Sequence, residues 1–474
     1  MLTYQDFIAE PEAKRPEFLR KLIEQHNASE LVQTARIADL YDQQRNVTIN
    51  EYVQKLYTAS GISVENYVAS NNKIASNFFR RLNTQRNTYL LGNGVTFTDD
   101  ENGEIKASFG EKFDTNIKRA GYLSLIHAVS FVFWNLDRTH VFPVTEFAPL
   151  LDETDGTLRA GVRYWRLDAD KPMTAVLYEE DGYTKYRTNS SGTDLIEVEP
   201  KKAYKQIYAK APADSEAVVV GEENYSGKLP IVPLWGSTLH QSTLVGMRQA
   251  IDSYDLVRSG FANDLEDCAQ IYWLLENYGG MSEADLAQFR DRIRLQHIAV
   301  ADTSDGGKVQ GYTQEVPYQA RQTYLDNLRA GIYEDFGGLD VHTVAAGATN
   351  DHIEAAYQPM DEQADDYEYQ LIECIQQLLK LAGQPDTVQP IFKRNRIANQ
   401  REAVEMLMLT AEYLDEETIV SKLPFVSPDE IQQILERRST EQQSRIKRQE
   451  EQIAQFTQAQ QTEEPVEDKP EGDI

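Results

Sequence analysis

Apolar side chains recur every three or four positions along two segments in the middle of the chain, a spacing that predicts two long helices. The first segment covers residues 244–278, and its apolar stripe consists of Met247, Ile251, Tyr254, Val257, Phe261, Leu265, Cys268, Tyr272 and Leu275. The second covers residues 317–336, where Pro317 suits a first helical turn and Gly337 suits a helix end. The pattern therefore predicts a helical hairpin.

The hairpin has a predicted insert at its tip and a predicted loop at its base. Residues 279–316 separate the two helices and are numerous enough for a small folded insert. Residues 337–351 follow the second helix and are rich in small and polar side chains. We expect a connection of this composition to be a flexible surface loop.

The chain before the hairpin divides into a helical part and a strand-rich part. Helical spacing of apolar side chains is found at residues 12–25, 29–43 and 67–91. Residues 131–232 alternate apolar and polar positions between turn signals such as Asp155-Gly156. This alternation predicts an antiparallel meander.

After the hairpin the pattern predicts mainly helices. They cover residues 361–381, 401–413, 416–423 and 427–461, with a short strand at 388–392. Residues 463–474 are acidic and contain proline, which predicts a disordered tail. The chain as a whole is therefore expected to belong to the α+β class.

Composition narrows the class of protein. Hydrophobic residues make up 41% of the 474 positions, which suits a folded chain with a core. The formal net charge of −29 disfavours a general nucleic-acid binder, because phosphate binding needs clustered Lys and Arg. Cys268 and Cys374 fall on apolar stripes, so we expect free thiols in a reducing compartment. The apolar runs are too short for a membrane span, so no membrane partner is expected.

Common catalytic motifs are missing. The chain has no GxxxxGK[ST] phosphate loop, no GxSxG nucleophile elbow and no HExxH zinc motif. An acidic cluster stands where the helix at 361–381 is predicted to begin: Asp361, Glu362, Asp365, Asp366 and Glu368. A helix dipole favours negative charge at that position, and a metal site is the alternative. We predict no catalytic residue, no cofactor and no metal.

Other charged clusters have two interpretations each. The basic ones are Arg290, Arg292 and Arg294; Lys393, Arg394 and Arg396; and Arg437, Arg438, Arg445, Lys447 and Arg448. Each suits a solvated or salt-bridged face or, in a ring, a basic belt repeated around the axis. The first hairpin helix carries Asp252, Asp255, Asp264, Glu266, Asp267 and Glu276 against Arg248 and Arg258. That face is an exposed acidic surface or, in a ring, a negatively charged channel wall.

Several short sequences along this plan resemble a known family. They are Ile251-Asp252-Ser253-Tyr254-Asp255 with Ser259 and Asn263-Asp264-Leu265, Ala269-Gln270, Leu274-Leu275-Glu276-Asn277-Tyr278-Gly279, and Ile391-Phe392-Lys393-Arg394-Asn395-Arg396-Ile397 followed by Glu402. Their order and spacing around the hairpin resemble the portal, or head-to-tail connector, proteins of long-tailed bacteriophages of Gram-positive hosts. The resemblance covers nearly the whole chain.

The resemblance implies a portal-type fold with named parts. Residues 1–243 would form the wing, 244–278 and 317–336 the two stem helices, 279–316 a small α/β clip, 337–351 the tunnel loop, 352–425 wing and crown helices, and 426–462 a C-terminal crown helix before the disordered tail at 463–474. Twelve copies would form a ring at one vertex of the virion head, assembled in the host cytoplasm.

The resemblance also implies site residues and partners. The tunnel loop would bring Val341, His342, Thr343, Asn350 and Asp351 near DNA, the stem would line the channel with Asp252, Asp255, Arg258 and Glu266, and the clip would dock partners through Arg290, Arg292 and Arg294. The implied partners are the terminase large subunit, a head-completion adaptor, scaffold or major capsid protein, and double-stranded DNA that passes without sequence specificity.

The leading hypothesis is therefore a structural ring that conducts DNA during packaging and ejection and has no enzymatic activity. The alternative is an acidic helical scaffold or adaptor without a DNA channel. An enzyme is disfavoured because the motifs above are missing.

Overall fold

The computed structural model describes most of the chain. The described residues are 2–57, 61–66, 69–100, 102–136, 138–189, 192, 194–208, 219–225, 227–267, 272–276, 282–296, 308–312, 317–340, 350–396, 400–409, 413–423, 434–440, 443–444 and 447.

Helices and strands are both abundant, which confirms the α+β class. The α-helices are α1 Tyr4–Ala9, α2 Arg15–Ala28, α3 Glu30–Asp42, α4 Val47–Glu51, α5 Phe78–Leu91, α6 Glu104–Ala107, α7 Phe113–His127, α8 Leu244–Asp267, α9 Glu283–Gln296, α10 Tyr318–Phe336, α11 Asn350–Leu381, α12 Gln400–Leu409 and α13 Glu416–Ser421. The strands are β1 Lys55–Tyr57, β2 Ser63–Glu65, β3 Val95–Phe97, β4 Val129–Asn135, β5 Arg138–Pro143, β6 Phe147–Leu151, β7 Leu158–Trp165, β8 Thr174–Glu179, β9 Gly182–Thr188, β10 Leu195–Lys202, β11 Lys205–Tyr208, β12 Val219–Glu223, β13 Ile231–Trp235, β14 Tyr272–Glu276, β15 Lys308–Tyr312 and β16 Pro390–Phe392.

The chain divides into two units. The first contains residues 1–340 and 358–395, and the second contains residues 341–357 and 396–474. In the second unit, α12 and α13 confirm the helices predicted near 401–413 and 416–423. Residues 434–440 are helical, while most of the predicted helix at 427–461 and the acidic tail lie outside the described residues.

The meander predicted for residues 131–232 is confirmed for residues 147–202, whereas β4, β5 and β13 form a separate sheet and β11 pairs with β12. Strands β6 to β10 pair with their sequence neighbours in one antiparallel sheet, in the order β10-β9-β8-β7-β6. The turn before β7 uses Gly156 at φ +70°, a left-handed conformation that favours glycine. One face of the sheet buries Ala148, Val162 and Leu177 against side chains of α1 and α2.

A second sheet follows from the apolar run at residues 123–136. This run is divided at Ala128, where φ is +75°, into the end of α7 and strand β4. Strand β4 lies between β13 and β5. The apolar run is therefore partly helix and partly strand, because one buried segment changes direction at a single residue.

The helical hairpin is confirmed, but its first helix is shorter than predicted. Helix α8 ends at Asp267, and strand β14 follows within the segment predicted as helix. Strand β14 pairs antiparallel with β15, and α9 lies between them in sequence. The prediction to residue 278 was wrong because a short apolar run suits a strand as well as a helix. Helix α10 matches its prediction and ends at Gly337, whose φ of +66° is left-handed.

Two other helix starts were also predicted wrongly. Helix α5 begins at Phe78 rather than near residue 67. Helix α11 begins at Asn350 rather than near 361, and it continues through Pro359. A proline inside a helix removes one backbone donor, but the rest of the helix continues on both sides of it.

The base of the hairpin is embedded among the N-terminal helices. Near the start of α8 and the end of α10, apolar side chains join those of α3 and α5 in one buried cluster, which includes Tyr41, Phe78, Leu82, Met247, Ile251, Ile332 and Phe336. Among the helices of the described residues, none is both long enough and apolar enough to span a membrane.

Candidate functional site at the hairpin base

Three buried polar side chains follow one face of α8 at intervals of four residues. Asp255, Ser259 and Asn263 are 0%, 5% and 5% exposed. Residues four apart on a helix lie on the same face, so these side chains form a polar row inside the protein. Buried polar groups require hydrogen-bond partners, and the partners identify what the row does.

The partners are alternate backbone amides of the segment just before α5. The Ser76 N–H donates to Asp255 Oδ1 at 2.9 Å, the Ile74 N–H to Ser259 Oγ at 3.0 Å, and the Asn72 N–H to Asn263 Oδ1 at 2.6 Å. We call these three contacts the polar ladder. Four helical residues rise about 6 Å, and two extended residues span about 6.6 Å. A nearly extended chain therefore presents every second amide to this helix.

The ladder explains why residues 71–77 are not helical. Their alternate amides bond to α8 side chains instead of carbonyls four residues earlier in their own segment. The sequence signal for the ladder was the four-residue spacing of polar side chains on α8. That signal did not reveal the partner segment, which lies almost two hundred residues earlier.

Asp255 also connects α8 to the turn that begins α4. The Asn46 Nδ2 donates to its second oxygen at 2.8 Å. Burial raises the pKa of the Asp255 carboxyl, and the hydrogen bonds from Asn46 and Ser76 oppose that rise. One turn earlier, Asp252 accepts from Tyr41 Oη at 2.5 Å and from Thr48 Oγ1 at 2.7 Å.

These placements bear on the predicted channel-lining residues. Asp255 has no exposed surface within a single chain, which disagrees with a role on a channel wall. Asp252 is mostly buried, and its hydrogen bonds from Tyr41 and Thr48 connect α8 to α3 and α4. Arg258 and Glu266 are exposed, and Glu266 accepts from Asn72 Nδ2 at 2.8 Å. A channel position for these exposed residues stays a prediction.

Helix α5 holds the end of α10. Arg86 donates to the Phe336 carbonyl at 2.7 Å and lies over the Phe336 ring at 4.1 Å. Gln85 exchanges two hydrogen bonds with the backbone of Leu339, at 3.0 and 3.2 Å. Burial lowers the pKa of Arg86 to about 10. The chain leaving α10 is therefore fixed by two adjacent side chains of one helix.

The same helix also holds α11. Arg86 donates to Gln363 Oε1 at 3.1 Å, and Tyr89 donates to Asp361 Oδ1 at 2.6 Å. The buried Tyr367 donates to Asn87 Oδ1 at 2.9 Å. Helix α5 thus contacts the chain on both sides of residues 341–357. We call these contacts the α5 clamp.

In sequence, the predicted loop residues come between the two segments that the α5 clamp holds. Val341, His342 and Thr343 fall outside the described residues. Asn350 and Asp351 lie in the first turn of α11, so the prediction that they belong to a loop was wrong.

The acidic cluster on α11 surrounds one arginine. Arg394 contacts Asp361 at 2.7 Å, Glu368 at 3.0 Å and also Asp365. These hydrogen bonds raise the pKa of Arg394, although burial opposes them. The explanation of the acidic cluster as the start of a helix was wrong, because α11 begins at Asn350. The interpretation of Arg394 as a salt-bridged residue is confirmed. Within the described residues, no group of three or more side chains is arranged to hold a metal ion.

The predicted docking arginines lie on α9. Arg290 is exposed and lies 3.3 Å from the Asp291 carboxylate. Arg292 and Arg294 belong to the same helix, but their side chains lie outside the described part. Cys374 is buried with a free thiol, as predicted, and Cys268 lies outside the described residues.

Comparison with known proteins gives the family. The family model described as "Phage portal protein, SPP1 Gp6-like" matches residues 20–444. The chain belongs to this family. Like other phage portal proteins, it is a structural component of the virion, the head-tail connector at the portal vertex that serves DNA packaging. The portal-family resemblance of the sequence is confirmed.

Two curated portal proteins illustrate the relationship. The portal protein of Bacillus phage SPP1 is 23% identical over 451 residues, which cover 89% of this chain and 85% of that protein. The portal protein of Clostridium phage phiCD119 is 27% identical over 205 residues, which cover 42% of this chain and 46% of that protein. Both phages infect Gram-positive hosts, in agreement with the sequence prediction.

Proposed function

We propose that identical copies of this portal-family protein form a ring, a dodecamer in the virion, through which double-stranded DNA enters and leaves the head. The observation that carries the proposal is the helical hairpin. A hydrophobic cluster holds its base, the polar ladder holds the second half of α8, and an insert lies at its tip. A hairpin that is anchored along α8 can resist forces along its axis and present the insert to other proteins.

We place the boundaries of the proposed portal parts at the ends of the observed elements. We assign residues 1–243 to the wing, α8 and α10 to the stem, and the segment from β14 to β15 to the clip. We also assign residues 341–349 to the tunnel loop and the helices after α11 to the crown. The loop assignment is supported by the α5 clamp, which holds the chain on both sides of it.

DNA would pass without being held. The net charge of −29 repels phosphates, and a smooth repulsive wall permits sliding without sequence preference. Arg258 and Glu266 on α8 are the exposed stem residues that we assign to the channel. Val341, His342 and Thr343 would approach the duplex from the tunnel loop. ATP hydrolysis would be the work of a docked terminase large subunit.

Partner docking would involve the clip and the wing. We assign Arg290, Arg292 and Arg294 on α9 to the surface that meets the terminase and later the head-completion adaptor. Scaffold or major capsid protein would contact the wing. Reversing the three charges to Glu should weaken binding of purified terminase at low salt, whereas reversing Lys14, Lys21 and Lys171 on the wing should not. Unchanged terminase binding would remove α9 from the docking surface.

The ring itself can be tested directly. Purified protein should give rings in negative-stain images and a mass of about twelve copies in native mass spectrometry when it is co-expressed with capsid and scaffold proteins. Heads assembled without it should contain no packaged DNA in a nuclease-protection assay. Normally filled heads without it, together with a monomer under all conditions, would favour the acidic scaffold or adaptor instead.

A further inference from the structure

A basic pocket lies in the first unit, and none of its lining residues belongs to the hairpin helices α8 and α10. It is an open cavity of about 850 Å³ between the loop before α7, the first half of α7, and strand β5. Its charged lining residues are Lys112, Arg119, Arg138, His140 and Arg163 against Glu111 and Glu146. In a chain with a net charge of −29, an excess of cations around one cavity is unexpected.

The pocket is built on a rigid frame. Asn116 of α7 donates to both the carbonyl and the hydroxyl of Thr139 on β5, at 2.8 and 3.1 Å. Arg163 stacks on Phe142 at 4.4 Å and on Trp165 at 4.6 Å. An arginine that contacts two aromatic rings keeps its charge in one place at little further entropic cost.

Its positive charge is only partly neutralised within the chain. Glu146 lies 3.5 Å from Arg163. Lys112 and Arg119 are exposed, and neither forms an ion pair with any of the described residues. Burial lowers the pKa of His140, and the neighbouring Arg138 and Arg163 lower it further, as expected of a positive environment.

We propose that this pocket binds an acidic peptide segment of a protein partner through carboxylate contacts to Lys112, Arg119 and Arg163. The surplus of cations suits a segment with two or three carboxylates. A DNA duplex fits less well, because its dense phosphates would meet Glu111, Glu146 and the acidic remainder of the surface. The proposal does not depend on a ring or a DNA channel.

The test uses the full-length protein and a fluorescently labelled hexaglutamate peptide in a polarisation assay at low salt. Hexaglutamine and a short labelled DNA duplex serve as comparison probes. The Lys112→Glu, Arg119→Glu double variant should fold normally. Glu is acceptable in an exposed helix, and negative charge is favoured where α7 begins. The matched control is Lys171→Glu with Lys228→Glu, two exposed lysines outside the pocket with the same change in net charge.

Hexaglutamate should bind and hexaglutamine should not. The double variant should lose about tenfold in affinity, and the control should stay within about twofold of wild type. Absence of hexaglutamate binding at about 1 mM peptide would overturn the proposal. Equal losses in both variants would do so too, because they would reflect net charge alone. Tighter binding of the duplex, lost in the same double variant, would show a nucleic-acid surface instead.

Discussion

Replacing Asp255 with alanine tests the polar ladder at its most buried rung. The change removes the acceptor for two donors, the Ser76 N–H and the Asn46 side chain. Each buried donor left unpaired costs about 1–3 kcal/mol. Alanine recovers about 0.5 kcal/mol in helix propensity and also relieves the desolvation of a buried carboxylate. We therefore expect a net loss of about 2–4 kcal/mol in the free energy of unfolding at neutral pH.

The sign of the pH dependence follows from the raised pKa of Asp255. The folded chain takes up this proton more readily than the unfolded chain does. The contribution of Asp255 to the free energy of unfolding is therefore largest when the pH is below 3.8, the ordinary pKa of an Asp carboxyl. This contribution declines as the pH rises through the raised pKa of the folded state. The stability difference between wild type and the Asp255→Ala variant should widen as the pH falls from neutrality toward 3.8.

Two measurements check this prediction. Urea unfolding monitored by circular dichroism gives the free-energy difference at each pH, and amide hydrogen exchange reports on Ser76, Ile74 and Asn72 individually. Ser253→Ala is the matched control, since Ser253 is exposed on the same helix. If Asp255→Ala and Ser253→Ala agree within about 0.5 kcal/mol and Ser76 stays protected from exchange, the ladder does not hold this segment.

Three further predictions concern α11 and the loop before it. Arg394→Met leaves three carboxylates facing one another and should cost about 1–2 kcal/mol, less in high salt, whereas the exposed neighbour Lys393→Met should be nearly neutral in thermal melts. Gly121→Ala would place a Cβ 2.0 Å from Tyr367 Oη and should lower the free energy of unfolding by about 1–3 kcal/mol. The control Gly260→Ala, whose Cβ would have no atom within 4 Å, should not destabilise the protein, and equal melting temperatures for the two variants would contradict this packing. Deleting residues 341–349 should preserve ring assembly in negative-stain images but reduce nuclease-protected DNA in heads, and normal packaging would count against the tunnel-loop assignment.

Local periodicity was a good guide where buried positions recur at regular intervals. In β9 every second residue is buried, and in α10 the buried Leu325, Ile332 and Phe336 lie seven and four positions apart. It failed at the start of α5 and the end of α8. Ile74 continues the helical spacing of Phe78 and Leu82, but the amides of residues 72, 74 and 76 bond to side chains of α8. Residues 272–276 are apolar enough for a helix or a strand, and they form a strand because they pair with β15.

The candidate site was only partly predictable for a related reason. The family resemblance assigned Asp252 and Asp255 to the wall of a channel, whereas both accept hydrogen bonds inside the fold. Charge alone indicates exposure, because unpaired carboxylates are costly to bury. A sequence pattern does not reveal that Asn46 and Ser76 supply the donors that make burial of Asp255 acceptable.

The sequence by itself determined the two long helices, the meander and the family, since each depends on residue types at short spacing or on matches along the chain. Tertiary structure alone decided which face of α8 is buried and that its acidic residues accept hydrogen bonds within the fold. It also decided that α5 holds the chain on both sides of residues 341–357. The physical reason is that these contacts join residues separated by about two hundred positions or more, so their energies depend on how distant segments pack and not on any local period.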